Sequence, residues 1–267
     1  MYNRKDLLGL RDLSADEIMT ILNTAKEMKA KIDNPSLRDD SLSKSSIVTL
    51  FYENSTRTKM SFMLAGDYQG AIVKDLGVAT SSVSKGESLV DTGVTLDQMG
   101  INIMIIRHQM TGAAHLLAKN VKASVVNAGD GSNEHPTQAL LDLFTIMEKK
   151  GSFEGLKVVI LGDISHSRVA RSNAFGLTKL GAKVTLAGPS TLVSNSMKSL
   201  GVEVETDIPK AIKDADVVMG LRIVFYAPIL GIGGVIKVIN TGGSIQDKED
   251  RISVENADEI TIIMSAG

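Results

Sequence analysis

Apolar and polar positions alternate along this chain in blocks of two lengths. Short apolar runs occupy residues 71–76, 101–106, 121–126, 156–163, 183–187, 202–205 and 215–221, each of strand length. The stretch 45–62 reads as a buried strand that feeds straight into a helix, with Asn54-Ser55-Thr56-Arg57-Thr58 at the junction. Longer stretches between these runs carry helical spacing. The clearest begins at Ser14, with Glu17 three residues on as capping-box partner and Ile18, Ile21, Leu22 and Ala25 on one face. Others are expected over residues 89–99, 139–147, 169–180, 195–200 and 207–213. Strands alternating with helices imply parallel sheets wrapped in helices. The expected fold is α/β, two doubly wound parallel-sheet domains with an active-site cleft between them. The boundary falls at Lys149-Lys150-Gly151-Ser152, giving residues 1–150 and 151–267.

Composition narrows the function more than the fold. The 267 residues are 43% hydrophobic and 22% charged, as in a globular protein. Lys and Arg number 29 against 31 Asp and Glu, so the formal charge is 29 − 31 = −2, and no global basic field points to nucleic acid or an anionic membrane. Any anion site must be local. With no Cys there are no disulfides, thiolate nucleophiles or Cys-ligated metals. The first residues lack the basic-then-apolar shape of a signal peptide, and a cytoplasmic location is expected. The four histidines form no spaced metal pair; His108, His115 and His166 are expected at the surface or at helix ends.

Candidate chemistry collects where strands end. Asn54 and Ser55 are helix-capping types, and a first helical turn offers unpaired N–H groups and a positive dipole end. Thr56, Arg57 and Thr58 at that turn make a plausible phosphate cradle, because guanidinium donors match phosphate oxygens. Arg107, Arg168 and Arg222 also follow apolar runs, at the edge where open α/β sheets bind ligands. Pro136 suits a first helical position, which puts His135 at the cap and Gln138 in the first turn. His135, Thr137 and Gln138 together could polarise a carbonyl. Lys85 sits near the tip of a polar loop. There is no GxxxxGK[ST] and no G-x-S-x-G, and Gly162-Asp-Ile-Ser-His lacks dinucleotide-binding glycine spacing.

Ser55-Thr-Arg-Thr-Lys-Met-Ser-Phe62 resembles the carbamoyl phosphate signature of the aspartate/ornithine transcarbamoylase family. Residues 81–92, 130–143 and 162–172 look like its aspartate carbamoyltransferase branch. The resemblance implies carbamoyl transfer from carbamoyl phosphate to L-aspartate, in pyrimidine biosynthesis, with no cofactor and no metal. It implies that Ser55, Thr56, Arg57 and Thr58 hold the phosphate, that Arg107 and His135 contact the carbamoyl phosphate, and that Gln138 meets its amino end. Arg168 and Arg222 would grip the aspartate carboxylates. The family forms trimers with shared sites, so Ser81 and Lys85 would come from the adjacent chain; regulatory or other pathway subunits are further possible partners. Two carboxylates call for two guanidinium forks, whereas ornithine would call for an acidic partner. Beyond Arg222 the family pattern lapses: Val224 stands where Gln is expected, the run 225–240 is apolar and glycine-rich, and the His-Pro-x-Pro segment is absent. The second half is therefore expected to be divergent and shortened. A carbamoyl phosphate binder without catalysis, and a transferase with another amine acceptor, stay open as alternatives.

Overall fold

The helix expected after Ser14 is α1 (Ala15–Asp33). It starts with a reciprocal cap: the Glu17 N–H donates to Ser14 Oγ at 3.1 Å and the Ser14 N–H donates to Glu17 Oε2 at 2.8 Å. Ile18 and Leu22 are the fully buried members of its apolar face. The structure, a computed structural model, describes residues 2–77, 86–221, 236–240 and 260–265. By internal contacts it forms two units, Met1–Gly9 with Met19–Thr137 and Leu10–Ile18 with Gln138–Gly267.

In the first unit, β1 (Ser46–Phe51), α2 (Thr56–Asp67), β2 (Ile72–Leu76), α3 (Leu89–Gln98), β3 (Ile103–His108), α4 (Ala113–Asn120) and β4 (Ser124–Asp130) follow in order, and then α5 (Pro136–Lys150) begins. The strands are all parallel, in the order β2-β1-β3-β4. Successive residues of β1 point to opposite faces. Val48 and Leu50 pack with Met104, Ile106, Leu117 and Val125, while Ile47 and Phe51 pack with Ile105 and Ala128. Each such side chain contributes roughly 1.5–3 kcal/mol when fully buried. On the second face Thr49 is also buried, its hydroxyl donating to Asp75 Oδ1 at 2.6 Å, and Lys59 of α2 reaches the other oxygen at 2.9 Å. Burial raises the Asp75 carboxyl, but these two donors outweigh it and hold the group below the usual carboxylate range.

The second unit contains β5 (Lys157–Gly162), α6 (Arg168–Lys179), β6 (Lys183–Ala187), β7 (Glu203–Glu205), α7 (Ile208–Ile212), β8 (Val217–Leu221), β9 (Ile236–Asn240) and β10 (Ile260–Ser265). Its parallel sheet has the order β7-β6-β5-β8-β10-β9. The α/β class expected from the alternation is therefore present in both units. Gly162 ends β5 at φ +140°, and a Cβ there would lie 2.0 Å from the Leu221 carbonyl oxygen, so only glycine lets the β5 and β8 ends approach this closely. The Lys179 ammonium at the end of α6 donates to the carbonyls of Leu10 (2.9 Å), Leu13 (2.5 Å) and Arg11.

Several boundaries differ from those expected. The run 101–106 becomes a strand only from Ile103, because Asn102 Oδ1 takes the Ser46 N–H at 2.8 Å and closes the sheet edge. The run 121–126 becomes a strand only from Ser124, since the Lys122 and Ala123 N–H groups donate to Asp97 Oδ1 at 3.0 and 2.8 Å. Residues 195–200 form a 3₁₀ helix where an ordinary helix was expected. Helix α4 was not expected at all. Among the described residues no helix is long and apolar enough to cross a membrane.

Candidate active site

The carboxyl ends of β1, β3 and β4 lie side by side, since Phe51 pairs with Arg107 and His108 with Asp130. This edge gathers most of the residues singled out in the first unit.

Strand β1 runs into α2 through Ser55, which occupies the N-cap with extended backbone (φ −159°, ψ 97°). Its hydroxyl does not cap the helix. It donates to Thr58 Oγ1 at 2.9 Å, so the first-turn N–H groups are left without a side-chain acceptor. Arg57 is exposed, and its guanidinium has no hydrogen-bond or ion-pair partner among the described residues. An anion arriving at this turn meets open N–H donors, the hydroxyls of Thr56 and Thr58 and a fixed positive charge.

Arg107, by contrast, is buried and held. Its Nε and Nη2 donate to Glu53 Oε1 at 3.1 and 2.5 Å, and its carbonyl accepts from the Tyr52 N–H at 2.9 Å. Glu53 was not singled out in the sequence; its place two residues past β1, beside an arginine on the next strand, was the available signal. His135 is 3% exposed and directly precedes α5, as the Pro136 rule requires. Its Nδ1 lies 3.4 Å from the Thr137 hydroxyl. The loop that delivers it is fixed by Asp130: Oδ1 accepts from Asn127 Nδ2 at 2.7 Å and from the Glu134 N–H at 3.2 Å, and Oδ2 accepts from the Gly112 N–H at 2.8 Å. Gln138, in the first turn of α5, donates to Asp142 Oδ1 at 3.0 Å.

His108 corrects the expectation of a surface histidine. It ends β3, is buried at 7% exposure, packs with its ring tilted 46° to that of Tyr52 at a centroid distance of 4.7 Å, and accepts the Met110 N–H on Nδ1 at 2.9 Å. Burial lowers its pKa, against the opposing charges of Asp130 and Glu53. His115 is half-buried in the first turn of α4, at a helix end as expected. His166 is exposed as expected, with Nδ1 2.9 Å from Asp163 Oδ1.

In the second unit Arg168 is the first residue of α6, buried at 9%, behind the N-cap Ser167, whose hydroxyl accepts the Ala170 N–H at 3.1 Å. Ser81, Lys85, Arg222 and Val224 lie outside the described residues. Among the described residues no three His, Asp or Glu side chains are grouped to hold a metal ion.

A strand-to-helix turn with open N–H groups, hydroxyls and a guanidinium unpartnered among the described residues, beside a second arginine near the next strand end, is the arrangement with which α/β proteins can bind an oxyanion at a sheet edge. Residues 5–148 match the model of the aspartate/ornithine carbamoyltransferase carbamoyl-P binding domain. The chain is 56% identical over 253 residues to the aspartate carbamoyltransferase catalytic subunit of Ruminiclostridium cellulolyticum, covering 95% of this chain and 81% of that one. It is 63% identical over 219 residues to the catalytic subunit from Acetivibrio thermocellus, covering 82% of this chain and 70% of that one. A crystal structure of aspartate transcarbamoylase from Trypanosoma cruzi in complex with carbamoyl phosphate matches with a TM-score of 0.75 at 29% identity, over 84% of this chain and 73% of that one. The chain belongs to the aspartate/ornithine carbamoyltransferase family.

Proposed function

We propose that this chain transfers the carbamoyl group of carbamoyl phosphate to the α-amine of L-aspartate, giving N-carbamoyl-L-aspartate and phosphate, a step of pyrimidine biosynthesis. The observation that carries this reading is the 55–58 turn, where an exposed Arg57, unpartnered among the described residues, opens α2 beside the strand whose last two residues are Arg107 and His108. The names of the relatives support the reaction. So do the Trypanosoma cruzi structures in complex with carbamoyl phosphate, and with carbamoyl phosphate and aspartate together.

In this reading residues 1–150 bind carbamoyl phosphate and residues 151–267 bind aspartate. Ser55, Thr56, Arg57 and Thr58 hold the phosphate. Arg57 and Arg107 neutralise it as it leaves, and Thr58, Arg107 and His135 donate to the oxyanion that forms when the amine attacks the carbonyl carbon. Gln138 meets the carbamoyl amino group. Arg168 and Arg222 bind the two carboxylates of aspartate. The chemistry needs neither a metal nor a covalent intermediate, because carbamoyl phosphate is already activated and the protein only has to orient and stabilise charge.

Ser81 and Lys85 belong to a site shared with a neighbouring chain of a homotrimer, which can associate further with regulatory or other pathway subunits. The exposed apolar side chains of Met60 and Leu64 on α2 and of Ile72 on the edge strand β2 support an interface on that side of the first unit. The setting is the cytoplasm.

Purified protein given carbamoyl phosphate and aspartate should form carbamoyl-aspartate, and should form no carbamoylated product with ornithine. Binding of carbamoyl phosphate without turnover would replace this reading with that of a non-catalytic binder. Light scattering should give the mass of three chains; a monomer would leave Lys85 without a site to serve.

A further inference from the structure

Asp142 and Asn173 are both fully buried. One Asp142 oxygen accepts from Gln138 Nε2 at 3.0 Å and the other accepts from Asn173 Nδ2 at 2.8 Å. Asn173 Nδ2 also donates to the Val169 carbonyl at 3.2 Å, and a carbonyl can only accept, so the orientation of this amide is fixed independently of Asp142. The remaining Asn173 Oδ1 is buried without a partner among the described residues, a cost that places the NH₂ where the carboxylate needs it. Gln138 likewise turns its NH₂ inward, donating to the Asp142 oxygen that Asn173 leaves open. Its Oε1 then faces away from Asp142. Gln138 is only half-buried, and no hydrogen bond fills that oxygen among the described residues.

We infer that Asp142 is a positioning residue that turns Gln138 into an acceptor and thereby selects an acyl phosphate bearing N–H on its acyl carbon over one bearing a methyl group. The inference rests on the carbamoyl-transfer reading above, in which Gln138 meets the amino end of the donor. A carbamoyl NH₂ gives Oε1 the proton it lacks. An acetyl group of nearly the same size leaves it facing a methyl, and a site built to bond an N–H rejects such an isostere far more strongly than a site that only matches shape. Without the carboxylate the Gln138 amide can turn over, and the preference fades.

The test compares the KM for carbamoyl phosphate with the inhibition constant of acetyl phosphate in wild type, D142N, Q138A and the double variant, each checked for folding by thermal melt. D142N is expected to shrink the preference for the carbamoyl compound roughly tenfold. In the Q138A background it should change the preference by less than about twofold, because Asp142 acts through Gln138. An active D142N enzyme with wild-type preference, or an equal loss in both backgrounds, overturns the inference. Should D142N fail to fold, Q138E takes its place. A protonated carboxyl group at that position can donate to Asp142 and still present a carbonyl outward, whereas an ionised one cannot. Its kcat/KM relative to wild type should then rise about tenfold as the pH falls from about 8 to about 5, and a flat ratio overturns the inference. Wild-type protein that makes no carbamoyl-aspartate sinks the carbamoyl-transfer reading and this inference with it. Wild-type activity with an unmoved preference sinks this inference alone.

Discussion

Arg107 and Glu53 form an ion pair in which the arginine is almost covered, at 9% side-chain exposure, and the glutamate is one-third open, at 32%. The asymmetry decides what each substitution costs. E53A leaves a buried guanidinium short of its counter-charge and is expected to destabilise the fold by roughly 1–3 kcal/mol, the low end for a broken buried pair because water can partly replace the carboxylate. It should also raise the KM for carbamoyl phosphate, since the guanidinium loses the group that aims it. Urea unfolding and initial-rate kinetics on the same preparation check both.

His135 is placed by Pro136 and by the Asp130 network, neither of which depends on its ring. H135A should therefore fold as wild type while kcat falls by roughly 10²–10³, the usual consequence of removing one oxyanion donor. An unchanged kcat in steady-state assays would remove His135 from the mechanism.

Ser55 occupies an N-cap without capping. S55A should cost less than about 0.5 kcal/mol of stability, below the roughly 1 kcal/mol typical of a lost cap. Carbamoyl phosphate or phosphate affinity should nonetheless drop, because the partner hydroxyl of Thr58 is no longer held in place. Thermal melts with and without phosphate separate the two effects.

His108 ties stability to pH. Its pKa in the fold is depressed by burial, so the unfolded chain binds a proton more readily than the folded one. The contribution is fully present above the unfolded value, about 6.5, and is lost as the pH falls below it toward the folded value. Protonating Nδ1 would also end its bond to the Met110 N–H. Denaturation midpoints should decline between about pH 7 and about pH 5 in wild type. H108N keeps an acceptor without the titration, and its decline should be shallower.

The strand-to-helix junction at Ser55 and the cap at His135 were legible because each rests on local rules, capping preference and the place of proline at a helix start. Helix α4 was missed although Ala113-Ala-His-Leu-Leu-Ala118 favours helix. Two adjacent parallel strands, β3 and β4, demand a crossover between them, and that requirement was the signal that could have found it. His108 was misplaced because a histidine after an apolar run resembles a strand end at the surface, while its burial comes from Tyr52 and the β4 end, which are distant in sequence. Glu53 and Asp142 went unnoticed for the same reason: a carboxylate shows its importance only through the arginine or amide it meets across the fold.

The open guanidinium of Arg57 has a price in selectivity. Among the described residues no side chain has to be displaced before a tetrahedral oxyanion settles at the start of α2, so in the proposed reaction the inorganic product competes for the same berth as the incoming donor. The protein should slow as it works, throttled by what it releases, and a phosphate buffer should mask much of its activity.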